Sequence, residues 1–285
     1  LISLIKIIYI FKLELNMQNN RRIEGGLSLN AKEEIAKIVI KDALERFKRP
    51  FVVWSAGKDS MVVLHLVKTY VEKNNLEMPP ALFIDHGQHY DETLEMINKI
   101  SKDWNFKVIF ARNEDALSKV KDGKIYVKDL NEENQMEVRK IGFLGDYFEY
   151  SLETDVGNHI LKTVAMNDAI KRYRIDALFT GIRWDENPAR SWEVFISPRE
   201  DPPHVRVHPI LPFTERNVWE YTFKYNLPIH PLYKQGYRSI DGKYDSKKTD
   251  DRPAWEQDLE NTYERAGRSQ DKEGMMEKLR RFGYM

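Results

Sequence analysis

At 285 residues, with 32% charged and 41% hydrophobic residues, the chain is long enough to bury a sizeable core and is composed like a soluble globular protein. Its 45 basic residues balance its 45 acidic ones, so no global charge draws it to nucleic acid or to an anionic membrane, and neither is expected as a partner. The absence of cysteine excludes disulfides, thiolate metal sites, iron–sulfur clusters and cysteine nucleophiles within this chain and agrees with a cytoplasmic setting.

The chain opens on an apolar stretch, Leu1 to Phe11. It is too short for a bilayer, which takes about 20 apolar residues, and it carries no small-residue cleavage site. Met17 then begins a polar stretch, so residues 1–16 read as an upstream leader and Met17 as the natural start. The competing reading is an added strand or helix packed on the domain.

Leu29 to Phe47 has Ile35, Ile38, Val39 and Leu44 near helical spacing, and Arg49-Pro50 ends it. Phe51-Val52-Val53-Trp54 predicts a buried strand, followed by a small-residue turn and a helix over Asp59 to Glu72. Ala81 to Ile84 predicts a second strand, Asp91 to Trp104 a helix, and Phe106 to Phe110 a third strand. The charged, aromatic stretch from Asn113 to Asp155 reads as irregular and helical, and Val156 to Tyr173 as a helix. Asp176 to Thr180 and Val205 to His208 predict a fourth and a fifth strand. Thr214 caps a further helix, and from Gly236 the chain is polar and loop-rich, then helical near its end. Strands alternating with helices predict an α/β fold: five mostly parallel strands with helices on both faces. Ligands of such sheets lie at the carboxyl ends of the strands, where the loops after Trp54, Ile84 and Thr180 converge.

The strongest chemical signal is Ser55-Ala56-Gly57-Lys58-Asp59-Ser60 between a strand and a helix. Gly57 is expected to allow close backbone approach and a positive φ. Amides at the helix start face an anion, and the helix dipole favours it. Ser55 and Ser60 add hydroxyls, Lys58 a charge, and Asp59 a helix cap or a metal ligand. The plain alternative is a strand–helix turn with a serine cap. The pattern differs from the Walker loop, G-x-x-x-x-G-K-[ST].

It resembles instead the PP-loop, S-G-G-x-D-S, of the ATP pyrophosphatase families, with Ala56 in place of the first glycine. Phe83-Ile84-Asp85-His86-Gly87, Thr180-Gly181-Ile182-Arg183-Trp184-Asp185-Glu186 with Ala189-Arg190, and Gly236-Tyr237-Arg238-Ser239-Ile240 resemble segments of the phosphoadenosine phosphosulfate (PAPS) reductase superfamily. So does Arg206-Val207-His208-Pro209-Ile210 with Trp219 and Pro231-Leu232-Tyr233. The tail, with Glu264-Arg265-Ala266-Gly267-Arg268 and Gly274-Met275-Met276-Glu277, is similar to that of the small, ATP-cleaving subunit of sulfate adenylyltransferase. The short connection from Tyr233 to Arg238 is reductase-like, yet the catalytic E-C-G-[IL]-H motif of reductases is missing from a chain without cysteine.

The resemblance implies an adenine nucleotide alpha hydrolase-like (HUP-type) nucleotide-binding domain over residues 17–235. It also implies a polar tail, 236–285, that closes over the site. It implies ATP with Mg²⁺ as the nucleotide, adenylyl transfer to sulfate with release of pyrophosphate, and a place in sulfate assimilation; it admits a GTPase large subunit as partner. Ser55, Gly57, Lys58, Asp59, Ser60, Asp85, Gly181 and Arg238 are the expected nucleotide contacts, and Lys58, Arg183 and Arg190 the expected catalytic cations. For Arg183 the competing role is an ion pair with Asp185 or Glu186; for Asp85, which could meet magnesium or a ribose hydroxyl, it is a turn cap. Arg238, Arg265 and Arg268 could close over an acceptor anion or belong to a solvated tail. Histidines 86, 89, 204 and 208 read as structural, and no dedicated metal cage is expected. Three other functions stay open: a reductase relative without the catalytic cysteine, a nucleotide-binding component of a DNA sulfur-modification system, and a non-catalytic nucleotide sensor that binds ATP without releasing pyrophosphate.

Overall fold

The computed structural model describes residues 26–187, 190–262 and 264. The leader and the tail from Arg265 onward, with Arg268, lie outside the described residues. Helix α1 (Leu29–Arg46) starts at Ser28, whose side chain accepts from the Ala31 amide. Then follow β1 (Pro50–Val53), α2 (Lys58–Lys73), β2 (Ala81–Ile84), α3 (Asp91–Asp103) and β3 (Val108–Ala111). The middle stretch forms α4 (Glu114–Ser118), β4 (Lys124–Tyr126), α5 (Glu132–Lys140) and β5 (Tyr147–Glu149). Next come α6 (Asp155–Asn158), a π-helical turn over His159–Val164, and α7 (Ala165–Tyr173). The last elements are β6 (Ala177–Phe179), β7 (Ile196–Arg199), β8 (His204–Val207), α8 (Glu215–Lys224) and α9 (Pro231–Lys234).

The main sheet runs β3-β2-β1-β6-β8-β7. All five expected strands form and pair in parallel. A sixth, β7, adds antiparallel to β8 at the edge, joined to it by a tight turn that needs no crossover helix. Pro198 is tolerated there because an outer strand leaves one row of N–H groups without a sheet partner. The sequence order turns round between β1 and β6: the chain first builds outward to β3, then returns to β6 on the other side of β1. The carboxyl ends of β1 and β6 therefore border the switch-point crevice of the sheet.

Both faces of the sheet are covered. Alternation sends Val52 and Phe179 into the larger core, with Val62, Leu64, Ile97 and Tyr221 from the helices. Phe51 and Leu178 point the other way and meet Ala169 and Ile170 of α7. The stretch read as irregular is more ordered than expected. It encloses its own small core of Ile125, Val138, Phe148 and Ile160, with Asn113 and Asn134 satisfying each other at 2.8 Å. Its strands are only three residues long, which is why no alternating run announces them.

Buried neutral histidine is a recurring element of this packing. His230, 1% exposed, caps α9 through Nδ1, which accepts the Leu232 amide at 3.3 Å, while Nε2 meets the Thr93 hydroxyl at 2.9 Å. Burial, opposed by Glu92, lowers its pKa from 6.5 to about 4. Because the folded value lies below the unfolded one, the stabilisation is complete above pH 6.5 and is lost as pH falls through about 4. The denaturant midpoint should fall over that window, by up to about 3 kcal/mol from this group. His230→Gln should flatten the slope by about one proton.

Candidate functional site

The loop from Ser55 to Ser60 leaves β1 and enters α2 at the switch point. Its side chains first organise the loop itself. The Ser55 amide donates to Ser60 Oγ at 3.2 Å, and Ser60 Oγ donates to the Gly57 carbonyl at 3.0 Å. The left-handed residue is Ala56, with φ 59°, and not Gly57, whose φ of −74° is ordinary. The expectation for Gly57 is corrected accordingly. The chain reverses one residue earlier, and Ala56 bears a conformation that costs a non-glycine residue about 1–2 kcal/mol. What Gly57 supplies is room: a Cβ there would lie 3.2 Å from Ser55 Oγ and 3.5 Å from the Tyr233 hydroxyl. That hydroxyl accepts the Lys58 amide at 2.9 Å, so one donor of the expected amide nest has a partner within the chain.

Gly181, after β6, backs onto the same loop. A Cβ there would sit 2.9 Å from backbone atoms of Asp59 and Ser60. Only a residue without a side chain lets the chain after β6 approach the first turn of α2 this closely.

The charged side chains gather into one buried network. Lys58 Nζ lies 2.6 Å from Glu264, 3.0 Å from the Arg238 carbonyl, 3.6 Å from Glu215 and 3.7 Å from Asp59. Arg183 is 0% exposed. Its Nε donates to Asp185 at 2.8 Å, and its terminal nitrogens contact Asp59 and Glu264. Glu215 holds Arg238 through Nε at 2.9 Å and Nη2 at 2.7 Å, and its own amide donates to Asp185 at 2.7 Å. Arg238 also ties down the carbonyls of Leu259 and Thr262, each at 3.2 Å. The Glu264 carboxylate thus bridges the two cations expected to meet phosphate.

Burial pulls the Lys58 pKa down, but Glu264 and Glu215 outweigh it and the net shift is upward. Arg183 behaves the same way, with Asp185 and Glu264 holding its charge against burial. Glu215 is pushed up by burial and by Glu264, against the pull of Lys58 and Arg238. Both cations therefore stay charged out of water, the state in which they interact most strongly with an anion.

The other expected residues are placed as follows. Ser55, Gly57, Lys58, Asp59, Ser60, Gly181 and Arg183 come together. Arg183 takes the ion-pair role with Asp185 as well as its contacts in the network. Arg238 joins from the C-terminal region and is buried against Glu215. Asp85 caps a turn, accepting from the Gly87 amide at 3.0 Å and pairing with Arg112 at 2.8 Å. Among the described residues no group of three or more His, Asp or Glu side chains is arranged to hold a metal ion. Glu215, Glu264 and Tyr233 were missed as site residues. Glu215 follows the Thr214 cap, and Glu264 opens the tail segment, but neither position announces which cation it meets.

Arg190 belongs to a second group. It approaches Glu186 at 4.0 Å. It also acts electrostatically on Arg206 and His208, as Arg199 does. Arg199 and His208 lie 3.6 and 3.7 Å from Glu193.

Sheet order, switch point and loop define the class: an α/β protein with a PP-loop-type nucleotide-binding fold. Residues 49–248 match the phosphoadenosine phosphosulfate reductase domain, and the chain belongs to that family. A sulfate adenylyltransferase subunit 2 from Brucella anthropi is 26% identical over 228 residues, covering 71% of this chain and 65% of that protein. One from Brucella abortus is 27% identical over 234 residues, covering 73% and 68%. The chain thus spans about two thirds of the length of these curated relatives. In fold it is similar to PAPS reductase from Candida auris, with TM-score 0.54, 16% identity and coverage of 78% of this chain and 98% of that one. It is also similar to FMN adenylyltransferase from Candida glabrata, with TM-score 0.62, 14% identity and coverage of 91% and 96%. Among the described residues no helix is long and apolar enough to cross a membrane.

The contact at Gly181 is testable. Gly181→Ala should cost about 1–3 kcal/mol by overpacking, read from the denaturant midpoint. An unchanged midpoint would show that the chain after β6 is not pressed against α2.

Proposed function

We propose that this protein is an enzyme that binds ATP at the Ser55–Ser60 loop and transfers its adenylyl group to an oxyanion of the sulfate class, releasing pyrophosphate. One observation carries the reading: two buried cations from different loops, Lys58 and Arg183, share a single carboxylate at the carboxyl ends of β1 and β6. A carboxylate held between two charge-assisted partners marks a position suited to a phosphate oxygen. Family membership and the names of the curated relatives support the same chemistry.

In this reading the β- and γ-phosphates displace Glu264 and take its place between Lys58 and Arg183. An oxygen of the acceptor attacks the α-phosphorus, a new oxygen–phosphorus bond forms, and the bond to the bridging oxygen of pyrophosphate breaks. The acceptor arrives as an anion, so no base has to remove a proton. The difficulty is repulsion between two anions, and fixed positive charge in a water-poor site offsets it. Lys58 and Arg183 carry the charge that accumulates on the leaving pyrophosphate. Magnesium arrives on ATP as part of the substrate. A second chain that works with this one is part of the reading, supported by the relatives' designation as subunit 2.

Pyrophosphate release from ATP with a panel of oxyanions tests the proposal. Lys58→Ala should lower turnover by about 100-fold or more, the loss typical of removing one transition-state charge partner. Turnover equal to that of the unaltered protein would remove the loop from the mechanism. Glu264→Gln keeps the shape and removes the competing charge. It should tighten binding of a non-hydrolysable ATP analogue several-fold, and weaker binding would show that Glu264 supports the nucleotide instead of yielding to it.

A further inference from the structure

Tyr233 stands where the start of α2 would otherwise meet an anion directly. Its hydroxyl accepts the Lys58 amide at 2.9 Å. Lys58 is the first residue of α2, and the amides of a helix's first turn point along its axis to where a phosphate oxygen binds. Gly57 leaves room for the hydroxyl, which would lie 3.5 Å from a Cβ at that position. The Lys58 ammonium lies 5.6 Å from the centre of the same ring. One side chain thus stands beside both the amide and the ammonium of Lys58.

Tyr233 and Glu264 both occupy the loop, and they differ in how they respond to an arriving phosphate. The carboxylate of Glu264 has the sign of a phosphate and cannot share its cations with one. Tyr233 is neutral and fixed. It is 3% exposed and meets Trp219 edge-on, with ring centres 5.1 Å apart at 84°. Ala254 completes that small core, with Ile229, Ile240, Trp255 and Leu259 packed against it. The short helix that carries Tyr233 is capped by His230 and held from behind by the Tyr237 amide, which donates to the Leu232 carbonyl at 3.2 Å. Swinging the ring away would empty this core, at the cost of a large cavity. Tyr233 therefore stays when a nucleotide enters, and the Lys58 amide stays behind it.

A phenol oxygen accepts and donates at once. With the Lys58 amide donating to it, the hydroxyl passes its own hydrogen to an oxygen in front of it. An O–H bond to an anionic oxygen belongs to the strong class, and a donor on its far side polarises it further.

We propose that the Tyr233 hydroxyl is a direct contact of the pyrophosphate half of ATP, donating to a β- or γ-phosphate oxygen in place of the Lys58 amide. This deepens the reading of the Ser55–Ser60 loop as a phosphate site and rests on it. The contact belongs to the leaving group: it strengthens as charge accumulates on the departing pyrophosphate, and AMP, which lacks those phosphates, gains nothing from it.

Calorimetric titrations with inorganic pyrophosphate, a non-hydrolysable ATP analogue and AMP test this. Tyr233→Phe keeps the ring against Trp219 and removes only the hydroxyl. It should weaken pyrophosphate and the analogue by about tenfold to a hundredfold, the loss of one hydrogen bond to a charged group, and leave AMP as before. An equal loss for all three ligands would show that the hydroxyl only supports the loop, and would overturn the proposal. So would unchanged or tighter pyrophosphate binding by a folded variant, since the hydroxyl would then merely cover the Lys58 amide. Melting temperature reports folding. If the phenylalanine variant does not fold, site-specific replacement of Tyr233 by a ring-fluorinated tyrosine, a stronger donor, should tighten pyrophosphate binding, and no change would overturn the proposal. Lys58→Ala separates this inference from the reading beneath it. If that variant weakens pyrophosphate and Tyr233→Phe does not, the tyrosine contact alone falls; if neither weakens it, the phosphate-loop reading falls as well.

Discussion

The arrangement depends on charges buried where water cannot solvate them. Lys58, Arg183 and Arg238 would each carry a large desolvation cost alone, and each is neutralised by Asp59, Asp185, Glu215 or Glu264. Those carboxylates come from the start of α2, the loop after β6, the start of α8 and the C-terminal region. The network therefore fixes four parts of the chain against one another at the strand ends. Removing one member strands another buried charge, a loss of about 3–5 kcal/mol in proteins where it has been measured. Site geometry and fold stability are the same set of bonds here.

Sheet alternation sorts the side chains around the strand ends onto two faces. Alternation along β6 points Phe179 to one face and Thr180 to the other, and glycine at 181 brings the chain back against α2. Arg183 then turns to the phosphate-loop side, whereas His208 and Arg206 remain on the opposite side with Thr180.

Much of the fold could be read directly. Short stretches rich in apolar β-formers marked four of the parallel strands, the alternating Val205-Arg206-Val207-His208 marked the fifth, and Thr214 marked the start of α8, where it forms a capping box with Asn217. The loop Ser55 to Ser60 stood out because small, hydroxyl and basic residues meet at one strand end. Local pattern did not reveal β4, β5 and β7, which are short and lie in polar stretches. Nor did it reveal which acid meets which base. Lys58 and Glu264 are 206 positions apart, and Arg183 and Glu264 are 81 apart. Such pairs are set by tertiary packing, and a charged residue in a sequence looks alike whether it faces solvent or a buried counter-ion. The misplacement of the left-handed residue has the same origin: glycine marks where side chains are excluded, but Ala56 shows that backbone reversal can fall on its neighbour.

The outer strand β7 has a consequence for assembly. An exposed strand edge normally offers a row of donors and acceptors that another chain can extend. Proline at 198 deletes one donor from that row, and the strand is four residues long. Lateral templating along this border is thereby discouraged.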